Sequence, residues 1–96
     1  MEKNSIFDKD PTARLVYGFD WTEWLPEGHS ISTSNWEVPN GLVNNGEQYD
    51  SATDITSVIL SGGTKGQTYV VKNTIVTDGP IPLTDSRAFK INIATR

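Results

Sequence analysis

The chain has 96 residues, a net charge of −4 and an isoelectric point near 4.7, which predicts one domain with a modest core. Its eight Lys and Arg residues are scattered, which argues against the basic surface that binds nucleic acids or anionic membranes. The absence of cysteine excludes disulfides, thiolate zinc sites and cysteine nucleophiles. The sequence has neither a long apolar stretch nor a charged-then-apolar leader, so we expect no membrane span and no secretion signal.

The first 13 residues are polar and charged, with Ile6 and Phe7 as apolar anchors and Pro11 near the end. Such segments are usually disordered alone and gain order when they are tied to a neighbouring subunit or sheet. We therefore predict a flexible N-terminal arm over residues 1–13 and a folded domain over residues 14–96.

A first strand is predicted from Leu15 to Thr22. Tyr17, Phe19 and Trp21 recur at every second position, and this period places them on one face of a strand. The pattern assigns Trp21 to the core.

The strand ends before Leu25–Gly28, because proline lacks a donor for the ladder and glycine accepts turn dihedrals. Trp24 lies between the strand and this turn. Two interpretations of Trp24 stay open: it caps the edge of the core, or it contacts a partner.

The middle of the chain predicts another strand and then a loop. Residues 29–38 form the strand, and a bulge near Thr33–Asn35 would return Trp36 to the face that Ile31 occupies. Residues 43–50 contain too many Asn, Gly and Asp residues for a ladder, so we predict a loop there.

Three more strands complete the chain. The first covers residues 53–60 with Val58 and Leu60 inward, the second covers residues 67–77, and the last begins at residue 83 or 87 and ends at residue 93. Gly62, Gly63 and Gly66 predict a tight connection with positive φ between the first two. Short strands separated by turns, without helical periodicity, predict an antiparallel β-sandwich.

No catalytic constellation emerges from the sequence. The single histidine, His29, lies at a turn, and no G-x-S-x-G elbow accompanies it. Carboxylate pairs such as Asp20 with Glu23 would need a cleft that a domain of this size seldom forms. We therefore predict a protein that is not an enzyme and has no small-molecule substrate.

Metal and cofactor sites are not expected either. The acids of residues 8–10 and 44–54 supply oxygen ligands, but neither group matches the EF-hand pattern. Gly62–Gly66 departs from the phosphate-binding motif, and no helix is predicted after it.

The aromatic residues leave two functions open. An exposed platform formed by Trp24 and a second aromatic would bind sugar rings, whereas buried rings would serve the core. Strand parity favours the core for Trp21 and Trp36.

The chain also resembles a family of small immunoglobulin-like virion proteins of tailed bacteriophages, described as fibre-tail or head-tail adaptor proteins. The resemblance extends from about Asp10 to the C-terminus. It is carried by the segments Tyr17–Leu25, Gly28–Ile31, Ser34–Val38, Gly41–Leu42, Leu60–Gly63 with Gly66, Tyr69 and Val71, Ile75–Thr77, and Arg87–Ile91. The sequence departs from the family pattern at His29, where an acidic residue is expected, and at Asp78–Pro82, where a shorter turn is usual.

The resemblance implies an immunoglobulin-like or fibronectin-type sandwich of about seven strands and a structural function in the virion. The domain would link the portal or tail to fibre or ring proteins, would be oligomeric in the assembled particle, and would be made in the host cytoplasm. The candidate contacts with partners are Ile6, Phe7, Pro11, Trp24 and Leu25. A capsid decoration protein of the same fold and a carbohydrate-binding module remain the alternatives.

Overall fold

A computed structural model describes residues 5–94 of the chain. All regular elements within this range are strands: β1 (Ser5–Lys9), β2 (Leu15–Asp20), β3 (Ile31–Glu37), β4 (Leu42–Asp50), β5 (Ile55–Gly62), β6 (Thr68–Thr77) and β7 (Thr84–Ile93). They form a four-stranded sheet in the order β1-β7-β6-β3 and a three-stranded sheet in the order β2-β5-β4. Two packed sheets confirm the predicted β-sandwich.

The strand order corresponds to that of an immunoglobulin domain. The three-stranded sheet corresponds to strands B, E and D of an immunoglobulin domain, and β3, β6 and β7 correspond to C, F and G. All strand pairs are antiparallel except that of β1 with β7, which is parallel. The strand order places β1 at one edge of the four-stranded sheet.

The alternation that predicted the strands also selects the core. Inward-facing residues of three strands are almost completely buried, as the alternation predicts. They are Val58 and Leu60 on β5, Val71 and Ile75 on β6, and three residues of β7. Trp21 is fully buried and Trp36 nearly so, which confirms both as core residues. The register of β3 against β6 shifts between Ile31 and Thr33, so β3 contains the predicted irregularity, but just before Thr33–Asn35 rather than within it.

The glycine connection between β5 and β6 also has the predicted geometry. Gly62, Gly63 and Gly66 all have positive φ. The amide of Gly66 donates to the carbonyl of Ile93 at 2.8 Å, and the amide of Ile93 donates to the carbonyl of Gln67 at 2.9 Å. The connection thus crosses between the sheets while it is hydrogen-bonded to the end of β7.

The loop predicted over residues 43–50 is wrong, because Leu42–Asp50 is the nine-residue strand β4. Only Leu42 is buried, and the rest of the strand is exposed. β4 lies at the sheet edge and carries a register shift between Asn44 and Glu47. Polar side chains are compatible with such an edge because the backbone bonds to β5 hold the strand in place.

Part of the predicted N-terminal arm forms β1, which pairs with β7 of the same chain from Ser5↔Phe89 to Lys9↔Ile93. The fully buried Lys9 strengthens this attachment, because its Nζ donates to the carbonyl of Gly62 at 2.6 Å. Burial lowers the pKa of Lys9, and the nearby Asp10 carboxylate opposes this shift. Residues 1–4 of the arm and residues 95–96 of the domain lie outside the described residues.

The two departures from the family pattern lie against each other. His29 Nδ1 is 2.9 Å from Thr77 Oγ1, and Gly79 lies directly beneath the His29 ring. The amide of Ser30 donates to Asp78 Oδ1 at 2.9 Å, and the amide of Asp78 donates to the carbonyl of Ser30 at 3.0 Å. The long turn between β6 and β7 therefore packs on the connection between β2 and β3.

Candidate partner-binding surface

Trp21 is the centre of the segment Asp20–Leu25. Its indole Nε1 donates to Thr56 Oγ1 and to Asn73 Oδ1, each at 3.2 Å. Asn73 is itself fully buried and donates to Ser34 Oγ at 3.0 Å. A buried indole N–H needs such a partner, so the polar cluster fixes Trp21 between the two sheets.

Arg87 covers Trp21 from β7. Its guanidinium carbon lies 4.2 Å from the centroid of the indole ring, and its Nη1 donates to the carbonyl of Asp20 at 2.9 Å. A guanidinium over an indole face is a favourable cation–π arrangement. Sequence reasoning missed this contact because Arg87 and Asp20 are 67 positions apart and only the packing of the two sheets brings them together.

The turn after β2 is held by Asp20. Its Oδ1 accepts hydrogen bonds from the amide and the hydroxyl of Thr22. These bonds, with a smaller contribution from Arg87, lower the pKa of Asp20. The amides of Trp24 and Leu25 both donate to the carbonyl of Trp21, so the chain turns tightly as soon as β2 ends.

Trp24 and Leu25 are half-buried and pack against the cluster that contains Trp21. The rings of Trp21 and Trp24 meet edge to face, with centroids 5.6 Å apart and an interplanar angle of 75°. Trp24 therefore covers the edge of the core with part of its surface and presents the remainder to solvent.

The other candidate contacts lie near β1. Ile6 points outward and is 62% exposed, whereas Phe7 is 40% exposed and reaches the core. The Phe7 ring lies 5.3 Å from Tyr17 and 5.5 Å from Phe89. Pro11 is half-buried in the turn between β1 and β2.

Ring contacts connect the two candidate regions through the core. Phe7 contacts Tyr17 and Phe89. The ring centroids of Phe89 and Phe19 are 5.7 Å apart, and those of Phe19 and Trp21 are 6.1 Å apart. Trp21 in turn contacts Trp24. The described ring contacts of Phe7 are with Tyr17 and Phe89 and that of Trp24 is with Trp21, so the candidates form two separate patches joined by packed aromatic rings.

The polar residues that suggested chemistry have structural contacts instead. Asn44 Nδ2 donates to Glu47 Oε2 at 2.8 Å, and Asn45 Nδ2 donates to Ser61 Oγ at 2.8 Å. Residues 5–94 contain no group of three or more His, Asp or Glu side chains arranged to hold a metal ion. Within the same range, no helix has the length and apolar character needed to cross a bilayer.

Fold and surface together define a small β-sandwich that exposes apolar side chains on edge strands, on turns and on the outer faces of both sheets. Exposed apolar side chains that lie next to each other mark surfaces for contact with other proteins. Comparison with known families agrees. The family model of the podophage GP4 fiber-tail adaptor protein gp77 matches residues 9–92, and the chain belongs to this family. No curated protein matches the chain.

The family identifies the chain as a structural adaptor protein of the phage virion, which binds other virion proteins such as tail and fibre components. The match begins at the buried Lys9, so Ile6 and Phe7 precede the shared region. Trp24 and Leu25 lie within it.

Proposed function

We propose that this chain joins a tail protein to a fibre or ring protein through two apolar patches and performs no chemistry. The first patch, called the β1 patch, consists of Ile6, Phe7 and Pro11. The second, called the turn patch, consists of Trp24 and Leu25. The family match over residues 9–92 carries the adaptor function, and the exposure of these side chains supports the assignment of the surfaces.

The β1 patch suits protein contact because it lies on an edge strand. β1 has one neighbouring strand, β7, so its outer edge presents backbone groups that another chain can pair with. Ile6 adds an exposed apolar side chain beside that edge. A partner that covered Ile6 would remove apolar surface from water at little ordering cost, because β1 is already paired.

The turn patch suits contact for a different reason. The hydrogen bonds from Trp24 and Leu25 to the carbonyl of Trp21 hold the turn, and Trp24 packs on a buried ring. A partly exposed Trp in a preorganised position has the properties of an interface hot spot. Partner binding at this position therefore needs little rearrangement.

The environment of His29 supports a function without catalysis. Its Nδ1 is placed against Thr77 Oγ1, and the Thr77 hydroxyl also accepts a hydrogen bond from the amide of Leu83 at 2.9 Å. Both contacts stabilise the turn between β6 and β7. The histidine thus has a structural task in the fold.

We infer that several copies act together around the tail, since an adaptor that serves several fibres must be repeated, and that the chain is made in the host cytoplasm before assembly. The alternatives of a capsid decoration protein and a sugar-binding module have no observation here that favours them.

Binding to the purified tail and fibre proteins of the same phage tests the proposal. Ile6→Ser and Trp24→Ser should each weaken binding to one of the two proteins by about tenfold or more. Val43→Ser is the matched control, because Val43 is 53% exposed and belongs to neither patch. Unchanged binding in both variants would contradict the assignment of the patches, and absence of binding by the wild type would contradict the adaptor function itself.

A further inference from the structure

The outer face of the four-stranded sheet carries a row of three adjacent side chains that we call the lysine row. Ile6 pairs with Lys90 across β1 and β7, and Lys90 pairs with Val70 across β7 and β6. All three are exposed, Ile6 at 62% and Val70 at 52%. The row therefore consists of an apolar, a basic and an apolar side chain on three neighbouring strands.

The outer face of the three-stranded sheet carries the complementary row, which we call the aspartate row. Asp20 pairs with Ile55 across β2 and β5, and Ile55 pairs with Asp50 across β5 and β4. Ile55 is 41% exposed, and both aspartates are exposed. This row consists of an acidic, an apolar and an acidic side chain on three neighbouring strands.

The surroundings of the aspartate row strengthen the contrast. The strands β2, β4 and β5 contain neither Lys nor Arg. Asp20 and Asp50 are the acids that they place on the outer face, because Glu47 pairs with the buried Val58 and so lies on the inward-facing side. Exposed Val16 and Ile59 form a cross-strand pair on the outer face, and the Arg87 guanidinium approaches Asp20 from the other sheet. The strands of this sheet thus contribute apolar and acidic side chains to its outer face.

The lysine row has a mixed but compatible surrounding. Lys72 is the diagonal neighbour of Lys90, and it pairs with Glu37 on β3, so those charges offset each other. Asp8 is exposed and is the other diagonal neighbour of Lys90, because it lies two positions after Ile6 on the same face of β1. The charge at the centre of the row is therefore the Lys90 ammonium, flanked by two aliphatic side chains.

Both aspartates are held in place by the turns they begin. Asp20 Oδ1 accepts from the amide of Thr22, and Asp50 Oδ1 accepts from the amide of Ala52 at 2.8 Å. Each carboxylate has further lone pairs available to accept from an ammonium. A shallow cavity of about 590 Å³ lies beside Asp50 and Ile55 and offers space for a long side chain.

We propose that the lysine row of one copy packs on the aspartate row of a second copy, offset by one strand. Lys90 then meets a carboxylate, Val70 meets Ile55, and Ile6 lies beyond the contact and remains part of the β1 patch. This inference rests on the proposed assembly function and adds the surface by which copies join.

Complementary charge indicates a second copy as the occupant, and the area of a sheet face is sufficient for such a contact. Two copies that present the lysine row to each other would place like charges together, and two aspartate rows would do the same, whereas unlike rows attract. The molecule measures 46 × 26 × 20 Å, and a face with the two longer dimensions exceeds the ~800 Å² that one partner buries in a standard interface.

The contact has a direction, because a different surface is used on each copy. Such a heterologous contact continues from copy to copy and closes into a ring where the rotation permits. The inferred geometry therefore gives a head-to-tail arrangement of sandwiches.

Charge reversal tests the inference in solution with the full chain. Sedimentation velocity should show concentration-dependent association of the wild type that weakens with added salt. Lys90→Glu and Asp50→Lys should each weaken self-association by about tenfold or more, since each places like charges in contact. A mixture of the two variants should associate, because each then supplies the charge that the other lacks.

Matched variants separate the contact from effects on folding. Lys65→Glu makes the same charge change in the β5–β6 connection and should associate like the wild type. Asp50→Asn keeps an acceptor for the Ala52 amide while it removes the charge, so it should weaken association without loss of the turn. Circular dichroism confirms that each variant is folded.

Zero-length carbodiimide coupling adds a direct readout. A mixture of ¹⁴N and ¹⁵N chains should yield a mixed-isotope peptide that joins Lys90 to Asp20 or Asp50.

A wild type that stays monomeric at about 1 mM, or a mixture of variants that fails to associate, would overturn the inference. If Lys90→Glu instead lost binding to a tail or fibre protein while the wild type remained monomeric, the face would belong to that partner. The copy-to-copy contact would then be refuted and the adaptor function retained.

Discussion

Trp21 makes hydrogen-bond, cation–π and ring contacts with its neighbours. Thr56 and Asn73 accept from its indole N–H, Arg87 covers one face of the ring, and Trp24 meets it edge to face. Trp24, three positions later, shares only the last of these contacts. Two tryptophans in the same short segment therefore have different tasks, and the difference is measurable.

Replacement of each tryptophan by phenylalanine measures that difference. Trp21→Phe removes the N–H donor and leaves unfilled volume between the sheets, so the free energy of unfolding should fall by about 2–4 kcal/mol. Trp24→Phe keeps an aromatic ring at a half-buried position and should cost below about 1 kcal/mol. Urea unfolding followed by far-UV circular dichroism gives both values, and equal losses would refute the distinction.

Arg87 offers a second test at the residue scale. Arg87→Met keeps an apolar stem over Trp21 but removes the guanidinium and its bond to the Asp20 carbonyl, so the free energy of unfolding should fall by about 1–2 kcal/mol. Lys65→Met removes an exposed positive charge elsewhere and serves as the control. A loss in the control as large as that in Arg87→Met would show that net charge, rather than the contact, is responsible.

The pKa of Asp20 reports the turn that follows β2. Because the Thr22 hydroxyl and amide favour the ionised carboxylate, the folded-state pKa is lowered, and the stability it supplies is present above the unfolded pKa and is lost as the pH falls through the folded value. Thr22→Val removes the hydroxyl donor, so the pKa of Asp20 should rise toward its ordinary value. Carboxyl-carbon NMR titration measures it, and an unchanged pKa would contradict the assignment of the hydroxyl as the main cause.

The connection between β5 and β6 lies against residues of both sheets. A Cβ at Gly63, where φ is +103°, would lie 2.5 Å from Ile93 Cδ1 and 3.3 Å from Leu42 Cδ2. At Gly66, where φ is +88°, a Cβ would meet nothing within 4 Å. The two glycines share a backbone requirement but differ in the space around them.

Alanine at each glycine separates these effects. Gly66→Ala should lower the free energy of unfolding by about 1–2 kcal/mol, which is the cost of a left-handed backbone conformation for a residue with a Cβ. Gly63→Ala should lose more, because the new methyl group also displaces the end of β7. Thermal unfolding of both variants provides the comparison, and a Gly63→Ala loss no greater than that of Gly66→Ala would contradict the packing argument.

The elements that the sequence predicts well are those that contribute a buried face. In β2, β5, β6 and β7, inward-facing residues alternate with more exposed ones because one side of each strand packs in the core. β4 lacks this pattern, since it touches the core mainly through Leu42 and depends on backbone pairing with β5. β1 likewise contributes few buried side chains, and its parallel pairing with β7 joins distant parts of the chain.

The candidate surface could be predicted only in part for the same reason. Local sequence identified Ile6, Phe7, Trp24 and Leu25 as unusual apolar residues near strand ends. It could not supply the Arg87 stack or the register that places Ile55 between two aspartates, because these depend on pairing between strands that are distant in sequence. The alternation of residues within each strand would have identified Val16 and Ile59 as outward-facing, but not the residues beside them on the neighbouring strands.

For the whole molecule, the distribution of contacts matches the function of its family. The core is filled by aromatic and aliphatic side chains from both sheets, and the carboxylates of Asp20 and Asp50 hold the turns that they begin. The surfaces beyond the core are the β1 patch, the turn patch and the outer faces of the two sheets. A rigid sandwich with several distinct surfaces can hold more than one neighbour at once, as an adaptor of tail and fibre must.

Removal of residues 1–9 should affect both the fold and assembly. The deletion takes away β1, its hydrogen bonds to β7, the Phe7 ring and the buried Lys9, so the remaining domain should unfold at lower temperature. Ile6→Ser removes only an outward side chain and should leave the melting temperature nearly unchanged. Calorimetry of both proteins measures the effect, and equal melting temperatures for the deletion and the wild type would show that β1 contributes nothing to the folded domain.

A cryo-electron microscopy map of the purified phage particle would show directly whether this protein joins the tail to the fibres. We expect density for this seven-stranded sandwich between the tail and the fibres, with the β1 patch and the turn patch buried against neighbouring proteins. Density for the chain on the capsid surface, or at the tail with both patches facing solvent, would contradict it.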